Sequence, residues 1–375
     1  MDLWRGVACL AVVVYHSTAF AEAPEILDGP NGFAANVLDV IHHFWLGVPI
    51  FFAISGYCIS ATVDSTRQCR GGWRSYFYRR FRRIYPPYWA LLALTVSMVV
   101  VVESAIPGLF TVGPANFPQA ESLTGWQWLG GITLTETWRP LVIGTPSSAL
   151  FLGPAWTLCY EEQFYLVAGL LLIAAPRWFF AAVAVVSALV FLLTENLNFR
   201  VLREAGVDVS RFQIQLPGTF LDGHWLAFAV GVGIYYRLNH ATKRGAVLVD
   251  GLFLAGIAWC LRSWNHLATS GITRCHLSAL VLGVLLVQLK PLDTRIANST
   301  ISRPLMFCGR MCYSLYLVHF PVVRAVSGAF FRAGLSSPLE TLLVTVPFAL
   351  IVAIPVGWVF FVCVERHFVN TRTVR

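Results

Sequence analysis

An arginine and a histidine interrupt the first apolar stretch of the chain, Leu3–Ala21. Arg5 and His16 are eleven residues apart, so on an α-helix they share nearly one face, roughly 16 Å apart along the axis. An ionisable residue in a membrane-length apolar segment is costly and is therefore a candidate functional residue. The spacing predicts that Arg5 holds an anion at one membrane surface, while His16 works about three turns deeper.

Two adjacent carboxylates form a second candidate group, in the apolar stretch that follows Trp156. Glu161 and Tyr165 are four residues apart and share a helical face, whereas Glu162 points some 100° away. Each carboxylate costs at least about 2.5 kcal/mol near a bilayer centre unless it is paired or hydrated. One interpretation is a structural pairing with Arg or His. The other is that Glu161 orients His16 as a general base for a hydroxyl.

A basic cluster directly precedes Ile84 and consists of Arg79, Arg80, Arg82 and Arg83. Such a cluster at the end of a membrane span is explained by the positive-inside rule and by contact with anionic lipids. It also fits a phosphate clamp, because guanidinium forks match phosphate oxygens. The two interpretations are compatible.

Two further groups of small or polar residues lie in apolar stretches. Ser55 and Gly56 allow close approach of a backbone or a ligand, although small residues also serve ordinary helix packing. Tyr316 and His319 lie near Pro321, which loosens a helix around them. These residues are candidates for a polar path through the bundle.

Composition places the chain among membrane proteins. It has 375 residues, of which 57% are hydrophobic and 12% charged, and its mean hydropathy is +0.66. A soluble domain carries about 25% charged residues. The net charge of +8 comes from basic residues between apolar segments rather than from a basic stripe, which excludes nucleic-acid binding. The nine cysteines lack metal-ligand spacing, so no metal site is predicted.

The pattern of apolar stretches predicts an all-α bundle of about ten transmembrane helices. Most of the 27 arginine and lysine residues fall on the side of the N-terminus, which predicts that both termini are cytoplasmic. The ten predicted spans are Leu3–Ala21, Leu38–Thr62, Ile84–Val102, Leu150–Ala174, Trp178–Thr194, Phe220–Tyr236, Val247–Leu261, His276–Leu289, Met311–Val326 and Leu339–Val364. Between two of these spans, the tryptophan-rich piece Trp126–Trp138 is predicted to lie at the interface or to re-enter the membrane.

Five motifs in a fixed order then identify a family. They are Arg5 with His16, Phe51–Tyr57 (FFAISGY), Arg80 and Arg83 ahead of Ile84–Tyr88, Trp156–Tyr165 (WTLCYEEQFY), and Tyr313–Pro321 (YSLYLVHFP). With these motifs the chain resembles the acyltransferase-3 family of membrane-bound O-acyltransferases, which modify lipopolysaccharides, exopolysaccharides and related glycans. Thr157 and Cys312 stand where the family usually has serine, and Pro49 stands where an acidic residue is common.

The resemblance implies one membrane domain over residues 1–375 in a bacterial inner membrane. We expect no fused soluble C-terminal domain, which departs from the family pattern. It implies transfer of an acyl group, most often acetyl from acetyl-CoA, to a hydroxyl of a surface or lipid-linked glycan. Arg5, Arg80 and Arg83 would hold the CoA phosphates, and His16, helped by Glu161, would deprotonate the acceptor. The remaining candidates along the path are Ser55, Tyr165, Tyr316 and His319.

A different function class also fits the buried ionisable residues. Arg5, His16 and Glu161 could form a proton relay in a transporter or flippase of a lipid-linked glycan. That hypothesis predicts dependence on a pH gradient and no dependence on acetyl-CoA. The residues leave open the acceptor glycan, the choice between acetyl and succinyl, and the oligomeric state.

Overall fold

The computed structural model describes residues 1–19, 21, 32–67, 72–107, 110, 117–139, 141, 151–194, 216, 218–267 and 271–369. Over these residues the chain is helical and contains no strand. The helices are α1 (Asp2–Ser17), α2 (Phe33–His42), α3 (Gly47–Thr66), α4 (Gly72–Ala105), α5 (Gly125–Thr133), α6 (Ala155–Ala174), α7 (Phe179–Thr194), α8 (His224–Asn239), α9 (Lys243–Leu267), α10 (Gly271–Leu289), α11 (Asp293–Asn298), α12 (Ser302–Arg310), α13 (Cys312–Arg332) and α14 (Val346–Cys363).

Eight helical segments in the described part of the chain are long and apolar enough to cross a membrane. They coincide with eight of the ten predicted spans. The other two predicted spans correspond to α1 and α8, which have 16 residues each. At 1.5 Å per residue, each reaches about 24 Å, less than the roughly 30 Å of a bilayer core. The eight segments are Phe33–Thr66, Gly72–Ala105, Ala155–Ala174, Pro176–Thr194, Lys243–Arg262, Arg274–Ile296, Cys312–Arg332 and Pro338–His367.

Two glycines bring α3 and α8 into backbone contact. A side chain on Gly56 would overlap the carbonyl oxygen of Phe228, and one on Gly231 would overlap the carbonyl oxygen of Ala53. Small residues at such crossings are the usual means by which membrane helices approach closely. Gly56 therefore serves helix packing, while the neighbouring Ser55, about 100° away around α3, faces α6.

The tryptophan-rich piece between α4 and α6 packs back onto α4. Three carbonyl groups at the C-terminal end of α5 accept hydrogen bonds from α4 side chains. The bonds are Tyr88 Oη to Gly131 O at 2.6 Å, Trp89 Nε1 to Ile132 O at 2.9 Å and Tyr85 Oη to Thr133 O at 3.2 Å. Helix C-terminal carbonyls lack intrahelical donors, so these bonds satisfy them within the bundle.

Helix α1 lies among the helices that carry the predicted site residues. It packs against α3, α12, α13 and α14, and its buried face consists of small and branched side chains such as Ala8, Val12 and Val13. Because α3 and α13 both contact α1, the polar residues of these three helices are brought together. Helix α6 completes the group by packing against α3 and α4.

Candidate active site

Seven of the nine predicted site residues line one cavity between α1, α3, α4, α6, α12 and α13. Four arginines line it, two of them from α4 and one each from α1 and α12, and we call it the arginine cavity. Glu161 and Glu365 also reach its wall. The seven predicted residues are Arg5, Ser55, Arg80, Arg83, Glu161, Tyr165 and Tyr316.

Arg5 and Arg80 are held in place by neutral side chains as much as by carboxylates. Arg5 Nη1 lies 3.3 Å from Asp2 Oδ1, and Arg5 Nη2 donates to the Cys58 sulfur at 3.0 Å. Arg80 Nη2 donates to Thr62 Oγ1 at 2.7 Å, and its guanidinium lies 5.3 Å from the centre of the Tyr165 ring. Among the described residues, no carboxylate forms an ion pair with Arg80, so its charge remains available for an anion.

Glu161 makes a compact cluster with two hydroxyl groups. Its Oε1 accepts hydrogen bonds from Ser55 Oγ and from Tyr165 Oη. The two hydroxyl oxygens are also 2.7 Å from each other. We call these three residues the Glu161 cluster. It places an acid and two hydroxyls, all from predicted site residues, in the wall of the arginine cavity.

Glu162 points away from Glu161 around α6, as the helical spacing predicted. It lines a second cavity, whose wall includes the aromatic rings of Tyr85 and Trp89. Arg80 and Tyr165 line both cavities and so form the wall between them. The two adjacent carboxylates therefore belong to different environments.

His16 and His319 form a separate group, which we call the histidine pair. Their ring centres are 5.2 Å apart, and the His16 ring lies 5.6 Å from that of Phe320. His319 is fully buried. Neither histidine is among the residues that line the arginine cavity.

The predicted contact between His16 and Glu161 is absent from the hydrogen bonds and ion pairs of the described residues. Thr157 on α6 bonds Tyr316 on α13, hydroxyl to hydroxyl, at 2.7 Å. Gly153, which precedes Thr157, packs against the Phe320 ring, which follows Tyr316, so the two helices run in opposite directions. Glu161 therefore lies about one turn to one side of the hydroxyl pair and His319 about one turn to the other. This pairing of the helices places Glu161 away from the histidines.

The Thr157–Tyr316 pair closes the cavity on the side of the histidines. Both hydroxyls also lie within hydrogen-bond distance of the Pro154 carbonyl oxygen, at 2.9 Å from Thr157 and 3.2 Å from Tyr316. Because each hydroxyl has a single proton, one donates to Pro154 O and the other donates to its partner hydroxyl. The Phe51 ring packs edge-on against Tyr316, with 5.4 Å between the ring centres. A hydroxyl partition thus stands between the two groups of candidate residues.

Sequence reasoning missed Glu365 as a member of the site. It follows α14, is 3% exposed, and accepts hydrogen bonds from Ser314 N at 2.9 Å and Ser314 Oγ at 2.5 Å. This contact ties the end of α14 to the start of α13 beside Arg5 and Arg310. The sequence does show an acidic residue directly after the last apolar stretch. It does not reveal that the hydrogen-bond partner of this residue, Ser314, lies 51 residues earlier in the chain.

The site's donors suit an organic anion rather than a metal. Guanidinium groups bind phosphate oxygens in bidentate fashion, and hydroxyls can hold a carbonyl or amide. Within the part of the chain that the structure describes, no group of three or more His, Cys, Asp or Glu residues could hold a metal ion.

Comparison with known proteins matches residues 1–362 to the family model described as "Acyltransferase domain". The chain is 24% identical over 343 residues to peptidoglycan O-acetyltransferase OatA of Listeria monocytogenes, covering 86% of this chain and 49% of that protein. It is 23% identical over 356 residues to O-acetyltransferase OatA of Staphylococcus aureus, covering 87% and 51%. It is also 23% identical over 335 residues to acyltransferase MdmB of Streptomyces mycarofaciens, covering 85% and 77%.

The chain spans about half the length of the two OatA proteins it matches. No solved structure matches it.

Proposed function

The chain belongs to the membrane acyltransferase-3 family, and from that membership we propose that it transfers an acetyl group from acetyl-CoA to a glycan hydroxyl. The observation that carries the proposal is the arginine cavity, which adjoins a hydroxyl partition and, beyond it, two histidines. Binding of an anionic donor requires the arginines, and base-catalysed transfer requires a histidine, so the two environments must adjoin.

The donor half of the reaction is assigned to the arginine cavity. Arg5, Arg80 and Arg83 would bind the phosphates of CoA, since charge-assisted bonds to phosphate are roughly twice as strong as neutral ones. The slender thioester arm would then run past the Glu161 cluster toward Tyr316. In this arrangement Glu161 acts on the donor side, where its two hydroxyl partners hold it, rather than on His16.

The acceptor half is assigned to the histidine pair. His16 would accept the proton of the attacking hydroxyl, the hydroxyl oxygen would bond to the acyl carbon, and the carbon–sulfur bond would break. The proton would then pass from His16 to the thiolate of CoA. Proton transfer by a positioned histidine contributes typically 10²- to 10⁴-fold to a rate.

The acceptor implied by the family resemblance is a lipopolysaccharide, an exopolysaccharide or a lipid-linked sugar. Peptidoglycan is a second candidate, favoured by the printed name of the Listeria relative. Both candidates present sugar hydroxyls outside the inner membrane of a bacterium, where we place this multi-pass protein.

For the topology we propose ten crossings with both termini in the cytoplasm, counting α1 and α8 with the eight longer segments. Both short helices are packed inside the bundle, against α3 in each case, and thinning of the bilayer or tilting of neighbours accommodates a short span. Membrane-impermeant labelling of cysteines placed in successive loops tests this: an odd number of crossings would put the termini on opposite sides.

The proposed function is tested with the protein reconstituted in liposomes, radiolabelled acetyl-CoA inside and candidate glycans outside. We expect label on the glycan, independent of a pH gradient. Glycan movement that requires a pH gradient and ignores acetyl-CoA would instead support the transporter hypothesis. In cells, mass spectrometry of surface glycans from a deletion strain and its complement shows whether acetyl or succinyl esters disappear, and from which glycan.

A further inference from the structure

His319 presents a buried ring nitrogen without a hydrogen-bond partner. Its Nδ1 lies 2.5 Å from the carbonyl oxygen of Tyr316. Because a carbonyl oxygen only accepts, Nδ1 carries the proton and Nε2 carries a lone pair. Among the described residues, no donor reaches Nε2. A buried acceptor left without a donor costs about 1–3 kcal/mol, so this atom needs a partner.

His16 is the nearest candidate to supply that partner. The two ring centres are 5.2 Å apart and the ring planes are inclined by 43°. At this separation, two ring nitrogens that faced each other would be about 3 Å apart, the length of a normal hydrogen bond. The structure shows no hydrogen bond between the rings, and rotation of the partly exposed His16 side chain would form it.

We propose that His319 orients His16 by accepting a hydrogen bond from its ring N–H at Nε2. The Tyr316 carbonyl fixes the tautomer of His319, His319 fixes that of His16, and the other nitrogen of His16 is left unprotonated toward the acceptor hydroxyl. This is the arrangement of a base held by a third group, with an imidazole and a backbone carbonyl as the holders. The inference rests on the proposed acyl transfer with His16 as its base.

His319 is a positioning residue in this scheme. The hydroxyl proton moves to the free nitrogen of His16 and then to the departing thiolate, while His319 keeps its own proton on Nδ1, hydrogen-bonded to the Tyr316 carbonyl oxygen. The hydroxyl oxygen replaces sulfur on the acyl carbon, so no oxidant or further reactant is needed. His319 therefore takes the orienting role that sequence reasoning gave to Glu161.

Two amide variants separate orientation from structure. The amide nitrogen of His319→Asn takes the place of Nδ1 and keeps the bond to Tyr316, but nothing replaces Nε2. In His319→Gln the longer side chain puts an amide oxygen near the place of Nε2, where it accepts from His16. We expect His319→Asn to lose about 10- to 100-fold in kcat, the range found when a metal-binding histidine loses its orienting partner, and His319→Gln to recover most of the rate. The reverse order would assign His319 a purely structural role and overturn the proposal.

A second readout does not depend on activity. In protein labelled with ¹⁵N-histidine and held in lipid nanodiscs, an N–H···N bond gives a through-bond ¹⁵N–¹⁵N coupling. We expect one coupled pair in the wild type that disappears in His16→Asn and in His319→Asn, with thermal unfolding showing that both variants fold. Absence of the coupling in the wild type would overturn the inference. Coupling without any acetyl transfer would leave the pair standing and reject the proposed function.

Discussion

The histidine pair lies on α1 and α13, two of the helices that line the arginine cavity, but the two regions offer different environments. The Arg5 side chain is 22% exposed, whereas His319 is fully buried. The cavity holds four guanidiniums and two carboxylates, while the pair packs against Phe320 and Tyr316, with one guanidinium, that of Arg324, over the Phe320 ring. A hydrated, highly charged donor suits the first environment, and proton transfer away from water suits the second.

Under the proposed function, the partition between them separates donor binding from acyl transfer. The Thr157–Tyr316 hydroxyl pair is polar, and a thin acyl arm could reach across it while the phosphates remain with the arginines. In this proposal Glu161 and His16, though both costly in a membrane, serve different ends of one path. Three substitutions test this division.

The largest effect is expected on the histidine side. His16→Ala removes the proposed base, and we expect the transfer rate to fall by about 10²- to 10⁴-fold while the affinity for acetyl-CoA stays unchanged. Turnover by the reconstituted protein and calorimetric binding of acetyl-CoA measure the two quantities. Loss of donor binding in this variant would mean that the two regions are not separate.

A smaller effect is expected in the arginine cavity, on the affinity for the donor rather than on the rate of transfer. Arg80→Gln removes a charge that faces the cavity, and a charged hydrogen bond contributes about 1.5–3 kcal/mol. We expect the KM for acetyl-CoA to rise about 10- to 100-fold with little change in kcat.

Arg79→Gln is the matched control for this experiment. Arg79 adjoins Arg80 on α4 but bonds Ser75 O and Thr66 Oγ1 and does not line the cavity. If the two substitutions raised KM equally, the cause would be the general loss of positive charge at the membrane surface. That result would contradict a specific phosphate site at Arg80.

The smallest effect is expected at the partition. Thr157→Val keeps the side-chain shape and removes the hydroxyl, while Tyr316 retains its bond to Pro154 O. We expect the free energy of unfolding to fall by about 0.5–1.5 kcal/mol, measured by denaturation in detergent, and the transfer rate to change only a few-fold. A loss of transfer greater than 100-fold would make this hydroxyl part of the chemistry.

Much of the site was predictable because helical spacing and burial cost act locally. Arg5 and His16 on one face of α1, and Glu161 with Tyr165 on one face of α6, follow from steps of eleven and four residues. Glu161 does bond Tyr165. Ser55, singled out as a small residue that allows close approach, completes the Glu161 cluster.

The partners between helices were not predictable in the same way. Whether His16 meets Glu161 or His319 depends on how far α6 and α13 slide past each other, and the Thr157–Tyr316 contact sets that register. Glu365 joins the site only because the end of α14 returns to the start of α13. Similarly, α1 was predicted as a 19-residue apolar stretch but is a helix of 16 residues.

The most direct test of the two-region account is a structure of the protein with a non-hydrolysable acetyl-CoA analogue bound, determined by electron cryo-microscopy in nanodiscs. The account expects the phosphates within hydrogen-bond distance of Arg5, Arg80 and Arg83, and the acetyl carbonyl beyond Tyr316 beside His16. Phosphates bound outside the arginine cavity, or an acetyl group that ends at the Glu161 cluster without reaching the histidine pair, would contradict it.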